Sequence, residues 1–259
     1  MILALKLLLT PLMITLATLT GRRWGPVISG WLIGFPLTSG PVSFILASQN
    51  GRPFAVGAAI GTLGGQLSVL IFCLVYSLVA RKLNWFFSVS LAIIAFLSAT
   101  LVSSLFTLHL IPTLLIVILA TILVIRLIPR VKSGSMDLRP PSWDIPARIL
   151  IATTFVFLLT SFAESLGPQL SGLIAPFPIY AIVLATFTHH QQGADSARLL
   201  LHGIASGSFA FISFFGVVAV LLPVLGMLWT YLLAVVVTIL VNGVTLLLTQ
   251  HGLKTQPIP

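Results

Sequence analysis

The chain alternates between apolar runs of about 20 residues and short polar or glycine-proline interruptions, without the period-two alternation of half-buried strands. Runs of that length match helices that cross a bilayer. They predict a first span over 2–19, with Pro11 as a candidate kink, then a basic turn at Gly21-Arg22-Arg23-Trp24. A second span is predicted over 27–48 and a third over 54–80, separated by the turn residues Gln49 to Pro53. The apolar block 85–128 would be a helix of roughly 65 Å, about twice the hydrocarbon thickness. It must therefore turn back between Ser103 and Pro112, giving spans at 85–103 and 110–127. Four more spans follow at 147–163, 169–188, 196–222 and 227–248, with Pro223 to Gly226 as the last tight turn. The expected architecture is all-α: a polytopic membrane protein of about nine transmembrane helices.

Composition removes the alternatives. The 259 residues are 58% hydrophobic and 7% charged, with a mean hydropathy of +1.16. Such a chain has too little polar surface to cover a soluble core. Its net charge of +9 therefore reads as cytoplasmic loop charge, not as a nucleic-acid footprint. Cys73, the single cysteine, lies inside an apolar run and reads as a packing residue. Lys6 before an apolar stretch could suggest a signal peptide, but no small-x-small cleavage site precedes Arg22, and the segment is read as a retained span.

A repeat then organises the spans. Shifting the chain by 142 positions lays Gly25-Pro26 on Gly167-Pro168, Ser29-Gly30 on Ser171-Gly172, Phe35-Pro36 on Phe177-Pro178 and Gly51 on Gly193. The register continues without a gap through Gly61 and Gly203, Gly65 and Gly207, and Phe72 and Phe214. A period this long is a duplicated unit, not a solenoid. The predicted division is 1–106 as a first four-helix repeat, 107–146 as an extra helix with a basic linker, and 147–259 as a second four-helix repeat. Alternate connections place Lys6 and Arg52 on one side. Eleven basic residues fall on the other: Arg22, Arg23, Arg81, Lys82, Arg126, Arg130, Lys132, Arg139, Arg148, Arg198 and Lys254. Positive charge is retained inside, so an outside N-terminus and a cytoplasmic C-terminus are expected, in the inner (plasma) membrane. The odd helix between the halves makes them inverted repeats about an axis in the membrane plane.

The stretch from Ser171 to Pro178, followed by Gln191-Gln192-Gly193 and Ala197-Arg198, resembles the GlpM family of small inner-membrane proteins. The first half is similar more loosely, through Gly30 to Pro36 and Gly51-Arg52. This resemblance implies a fused, duplicated pair of GlpM-like units and carries no catalytic residues with it.

The paired Phe-Pro steps are the sharpest candidate site. A proline within a span removes a helix hydrogen bond and frees carbonyls, and matched breaks in inverted repeats mark midplane binding sites. Phe35, Pro36, Thr38, Ser39, Phe177, Pro178 and Tyr180 are accordingly expected to bind a small solute, against the plainer reading of packing kinks. Ser43, Gln66, His202, Ser206, Ser208 and Asn242 are expected to face the bundle interior, most simply as interhelical hydrogen-bonding groups. Gly57, Gly61, Gly64, Gly65, Gly203 and Gly207 suggest close packing between the halves. His189-His190 reads as a solvated turn and Glu164 as an interfacial residue at the end of the sixth span. No triad, phosphate loop or carboxylate pair is present, so neither enzyme activity nor a cofactor or metal is expected. The expected partners are the bilayer and a small solute. Transport by alternating access is the leading function. A scaffold for an envelope-biosynthesis or transport complex, held through the basic linker, is the alternative.

Overall fold

A computed structural model describes residues 2–129, 131, 141–174 and 177–254; within them, the side chains of residues 2, 160, 162–174 and 248–254 fall outside the description. Most of the basic linker (Arg130, Lys132, Asp137 and Arg139) and Pro176 lie outside the described residues, as does the Glu164 side chain.

Ten helices and no strands make up the described residues: α1 (Ile2–Trp24), α2 (Pro26–Ile33), α3 (Ser39–Asn50), α4 (Arg52–Val79), α5 (Trp85–Ser104), α6 (Leu110–Leu127), α7 (Asp144–Ile174), α8 (Ile179–Gln192), α9 (Ala194–Leu221) and α10 (Met227–Lys254). Six of them, α1, α4, α5, α6, α9 and α10, are long and apolar enough to cross a membrane, which fits a multi-pass membrane protein. The long apolar block does turn back where helix length requires it, between Ser104 and Leu110. Asn84 starts α5 by accepting a hydrogen bond from the Phe87 amide at 3.1 Å, supplying a partner for one of the N–H groups that a helix start leaves open.

Two sequence expectations need correction. Gly21 to Trp24 is not a turn but the end of α1, and the chain reverses instead at Gly25, whose φ of 90° suits glycine. In the second half no boundary occurs near Glu164 or Pro168; α7 runs on to Ile174, and a proline inside a membrane helix is tolerated where neighbouring groups satisfy the freed carbonyl.

Helix boundaries recur at the spacing of the sequence repeat. The helices α4 and α9 each have 28 residues. Each is entered through a single glycine at positive φ, Gly51 (82°) and Gly193 (85°). A corner between two helices with no intervening loop demands that conformation, which a Cβ would strain.

The long pair forms the centre. Gln66 of α4 meets Ser208 of α9, and Ser77 of α4 meets Arg198 of α9, so the two run antiparallel. The apolar stretch of α9 is 67% buried, whereas those of α5 and α6 are 22% buried. The outer helices thus expose Ile94, Leu119 and Leu240, which is the surface a lipid environment accommodates. Two core clusters flank the centre. One joins Ile14, Phe72, Tyr76, Ala185 and Leu201; the other joins Leu63, Leu70, Val117, Phe215 and Ala234.

Candidate functional site: a cavity at two helix breaks

The second predicted span is interrupted where its proline lies. After Ile33 the chain leaves helical geometry for five residues before α3 begins at Ser39. Pro36 has no N–H to continue the ladder. The Leu37 amide donates to the Phe35 carbonyl at 2.8 Å and the Gly40 amide to the Pro36 carbonyl at 2.8 Å. The same two bonds recur 142 residues on: Ile179 to Phe177 at 2.9 Å and Ile182 to Pro178 at 2.9 Å. Two sequence-equivalent prolines therefore open two helices of the same local design.

Both breaks face one cavity of about 590 Å³. Of the seven predicted site residues, Phe35, Thr38, Ser39, Phe177, Pro178 and Tyr180 line it, while Pro36 is buried outside its wall. Tyr180 Oη lies 3.3 Å from Thr10 Oγ1, and Phe177 packs edge-on against Phe96 at 5.5 Å. From Gln66 the cavity extends toward the α3–α4 corner, reaching Leu46 and Ala55. Gln66 Nε2 donates to Ser208 Oγ at 2.8 Å, a contact between residues 142 apart in sequence. Ser43 Oγ meets Tyr231 Oη at 2.8 Å, bringing α10 to the site. Of the other interior polar candidates, His202, Ser206 and Asn242 lie away from the cavity wall.

Sequence reasoning passed over Lys6. It lines the cavity from α1 and is the one charged side chain among the described lining residues. The available signal was a lysine inside an otherwise apolar span, which marks an interior site by cost alone.

Beyond the cavity, charged side chains are paired. Asp144, 1% exposed, accepts from Arg148 Nε at 2.7 Å, Arg22 Nη2 at 2.8 Å and Gln191 Nε2 at 2.7 Å. Burial alone would raise the Asp144 pKa, but these donors and the Arg148 charge outweigh it and hold the carboxyl below its ordinary value. Arg148 also stacks on Phe187 at 4.8 Å. The space left among these groups is about 30 Å³, room for a water or two. Nearby α9 contributes Asp195, which takes a bidentate pair of bonds from Arg81 at 2.7 and 2.9 Å. Arg198 Nε donates to the Ser77 carbonyl at 2.7 Å. His189 Nδ1 lies 3.2 Å from Tyr76 Oη and His190 packs on Trp85. Among the described residues, no three His, Cys, Asp or Glu side chains come together as metal ligands would.

The glycine pattern divides in the same way. Gly30 and Gly203 let the backbones of α2 and α9 touch: a Cβ on Gly203 would strike the Val27 carbonyl, and one on Gly30 the Leu200 carbonyl. Gly207 lies against Trp31 and Gly34 in the same seam. By contrast Gly57 and Gly61 have no described atom within 4 Å of where a Cβ would stand, and Gly61 faces the cavity. The expectation of close packing thus holds for the glycines of α9 and fails for these two of α4. No family model, curated protein or solved structure matches the chain, so its own geometry carries the functional reading.

Proposed function

We propose that the chain is a small-solute transporter whose two inverted repeats, 1–106 and 147–259, alternate access to the cavity at the paired Phe-Pro breaks. The repeat register supports this reading. The Gly51 and Gly193 corners, the proline breaks and the Gln66–Ser208 contact recur at or span 142 residues, whereas the Gly25 corner has no counterpart in α7. A residue that touches its own counterpart across antiparallel helices is what a two-fold axis between them produces. In this reading nine crossings arise because α2 and α3 together make one span.

One observation carries the proposal: equivalent places in the two halves are in opposite states. Gly203 is filled by α2, whereas its counterpart Gly61 faces the cavity. Lys6 lines open space, whereas its counterpart Arg148 is locked to Asp144. An alternating-access carrier caught in one state has this asymmetry, because exchanging the states of the halves exchanges the open side. The positive-inside rule supports an external open end and a cytoplasmic Arg22–Asp144–Arg148 end.

Cysteine accessibility tests the proposal without knowledge of the solute. In a C73S background, A58C at the cavity wall should react with a membrane-impermeant maleimide from outside. L200C, its buried counterpart, should be protected. Adding D144N should expose L200C from the cytoplasmic side and lower labelling of A58C. Equal labelling of A58C from both faces would indicate a fixed pore. Protection of L200C in every latch variant would also count against alternation.

A further inference from the structure

We propose that the cavity takes an amphipathic organic anion, an apolar body bearing one anionic group, with Lys6 as its counter-ion. The proposal deepens the transporter reading, and rests on it only for what happens after binding.

The cavity volume of about 590 Å³ lies in the range that encloses a small organic molecule. Its walls are mostly apolar, with Phe35, Phe177, Phe211 and Phe215 supplying aromatic surface. Besides Lys6, its polar side chains are few: Thr38, Ser39, Ser43, Thr62, Gln66 and Tyr180. Such a lining binds an apolar body and fixes one polar end.

The sign of that end follows from the charges. The described lining contains Lys6 and no carboxylate. All four ion pairs among the described residues involve Asp144 or Asp195, and Lys6 belongs to none. An ammonium inside a membrane span is costly unless something neutralises it. The repeat shows why it is left over. Arg148 stands 142 residues after Lys6, and Asp144, which neutralises Arg148, stands 142 residues after Ile2. The first half therefore carries the cation of the pair without its acid. A solute carboxylate, sulfonate or phosphate would take the role that Asp144 plays on the other side.

The helix breaks contribute dipoles of both signs. The first turns of α3 and α8 open onto the cavity through Ser39 and through Ile179, Tyr180 and Ala181. Helix N-termini carry partial positive charge, although the Gly40 and Ile179 amides are already bonded within the breaks and Pro41 has no N–H. These N-termini specify nothing alone, and the C-terminus of α2, which lines the cavity through Ile33 and Gly34, opposes them; the full charge of Lys6 sets the sign.

Matched probes test this. Phenylacetate, phenethyl alcohol and phenethylamine share an apolar body and differ in charge. Their binding to purified protein in phosphatidylcholine nanodiscs can be compared by calorimetry. Phenylacetate should bind roughly ten-fold or more tightly than either other probe, as one charge-assisted contact provides. The preference should disappear in K6Q and persist in K6R. Equal affinities for the three probes in wild type, or preference for the amine, would overturn the proposal without reference to any variant.

Two further arms separate the sources of negative charge. If Glu164 neutralises Lys6, wild type will not discriminate and E164Q will gain the preference for phenylacetate, which overturns the proposal. If phosphatidylglycerol displaces phenylacetate from wild type, the occupant is a lipid headgroup and the solute assignment falls. Failure of the transporter reading looks different: anion selectivity intact, with L200C protected throughout.

Discussion

Asp144 is the residue that ties the ends of three helices together. It brings α7 against Arg22 of α1 and Gln191 of α8, and it neutralises an arginine only 4% exposed. Removing one partner of a buried pair leaves the other charge uncompensated, at a cost on the order of 3 kcal/mol. D144N should therefore lower the thermal stability of the purified protein more than R22Q, because Arg22 is one-third exposed. The pH dependence has a definite sign. The folded-state pKa of Asp144 is depressed, so its contribution is present above the ordinary carboxyl value near ~3.9 and is lost as pH falls through the lower folded value. Melting temperature measured across the acid range should show this loss in wild type, and D144N should lack that component. An unchanged acid profile in D144N would remove Asp144 from the account. The sequence made Asp144 visible only as a linker charge. Its role needed Arg22, 122 residues away, to be brought against it.

At the scale of elements, the seam between α2 and α9 is the closest helix contact, and glycine makes it possible. A side chain at position 203 has no space, because the α2 backbone occupies it. G203A should cost roughly 1–3 kcal/mol by forcing the helices apart. G61A, at the equivalent place in α4, meets no described atom and replaces a poor helix former, so it should be neutral or stabilising by up to about 1 kcal/mol. Parallel unfolding measurements in detergent decide between them; equal penalties would mean that α4 carries a seam like that of α9. Both helices show similar small-residue spacing, and the spacing alone could not say which groove was filled. The breaks were more legible. Proline forbids the next helix hydrogen bond wherever it occurs, so the interruptions at Phe35-Pro36 and Phe177-Pro178 followed from local chemistry. The long run of α7 through Pro168 did not, since the missing bond can be compensated by surroundings that a sequence does not display.

Across the whole molecule, the ion-paired charges of the described residues collect at one end, away from Lys6 and Arg52. Arg22, Asp144, Arg148, Gln191, Arg81, Asp195 and Arg198 form two neighbouring networks, while Lys6 stands apart at the cavity. Reporter fusions test the orientation implied by that asymmetry. A periplasm-active phosphatase should be active when inserted at the α5–α6 turn near Phe106, and inactive after Arg81; the reverse pattern would invert the topology and the side on which the cavity opens. Much of this scale was present in the sequence alone. Apolar runs of bilayer length determined the helical class, excess span length forced the turn before α6, and the 142-residue register tied two distant prolines together. These are properties of the chain's own chemistry, local or periodic. Only the tertiary structure decided that Lys6 lines a cavity while Arg148 is locked, that Gly203 is filled while Gly61 meets no described atom, and that both proline breaks face the same space. Equivalent sequences can occupy unequal environments, because packing is resolved by contacts between the halves and not by either half alone.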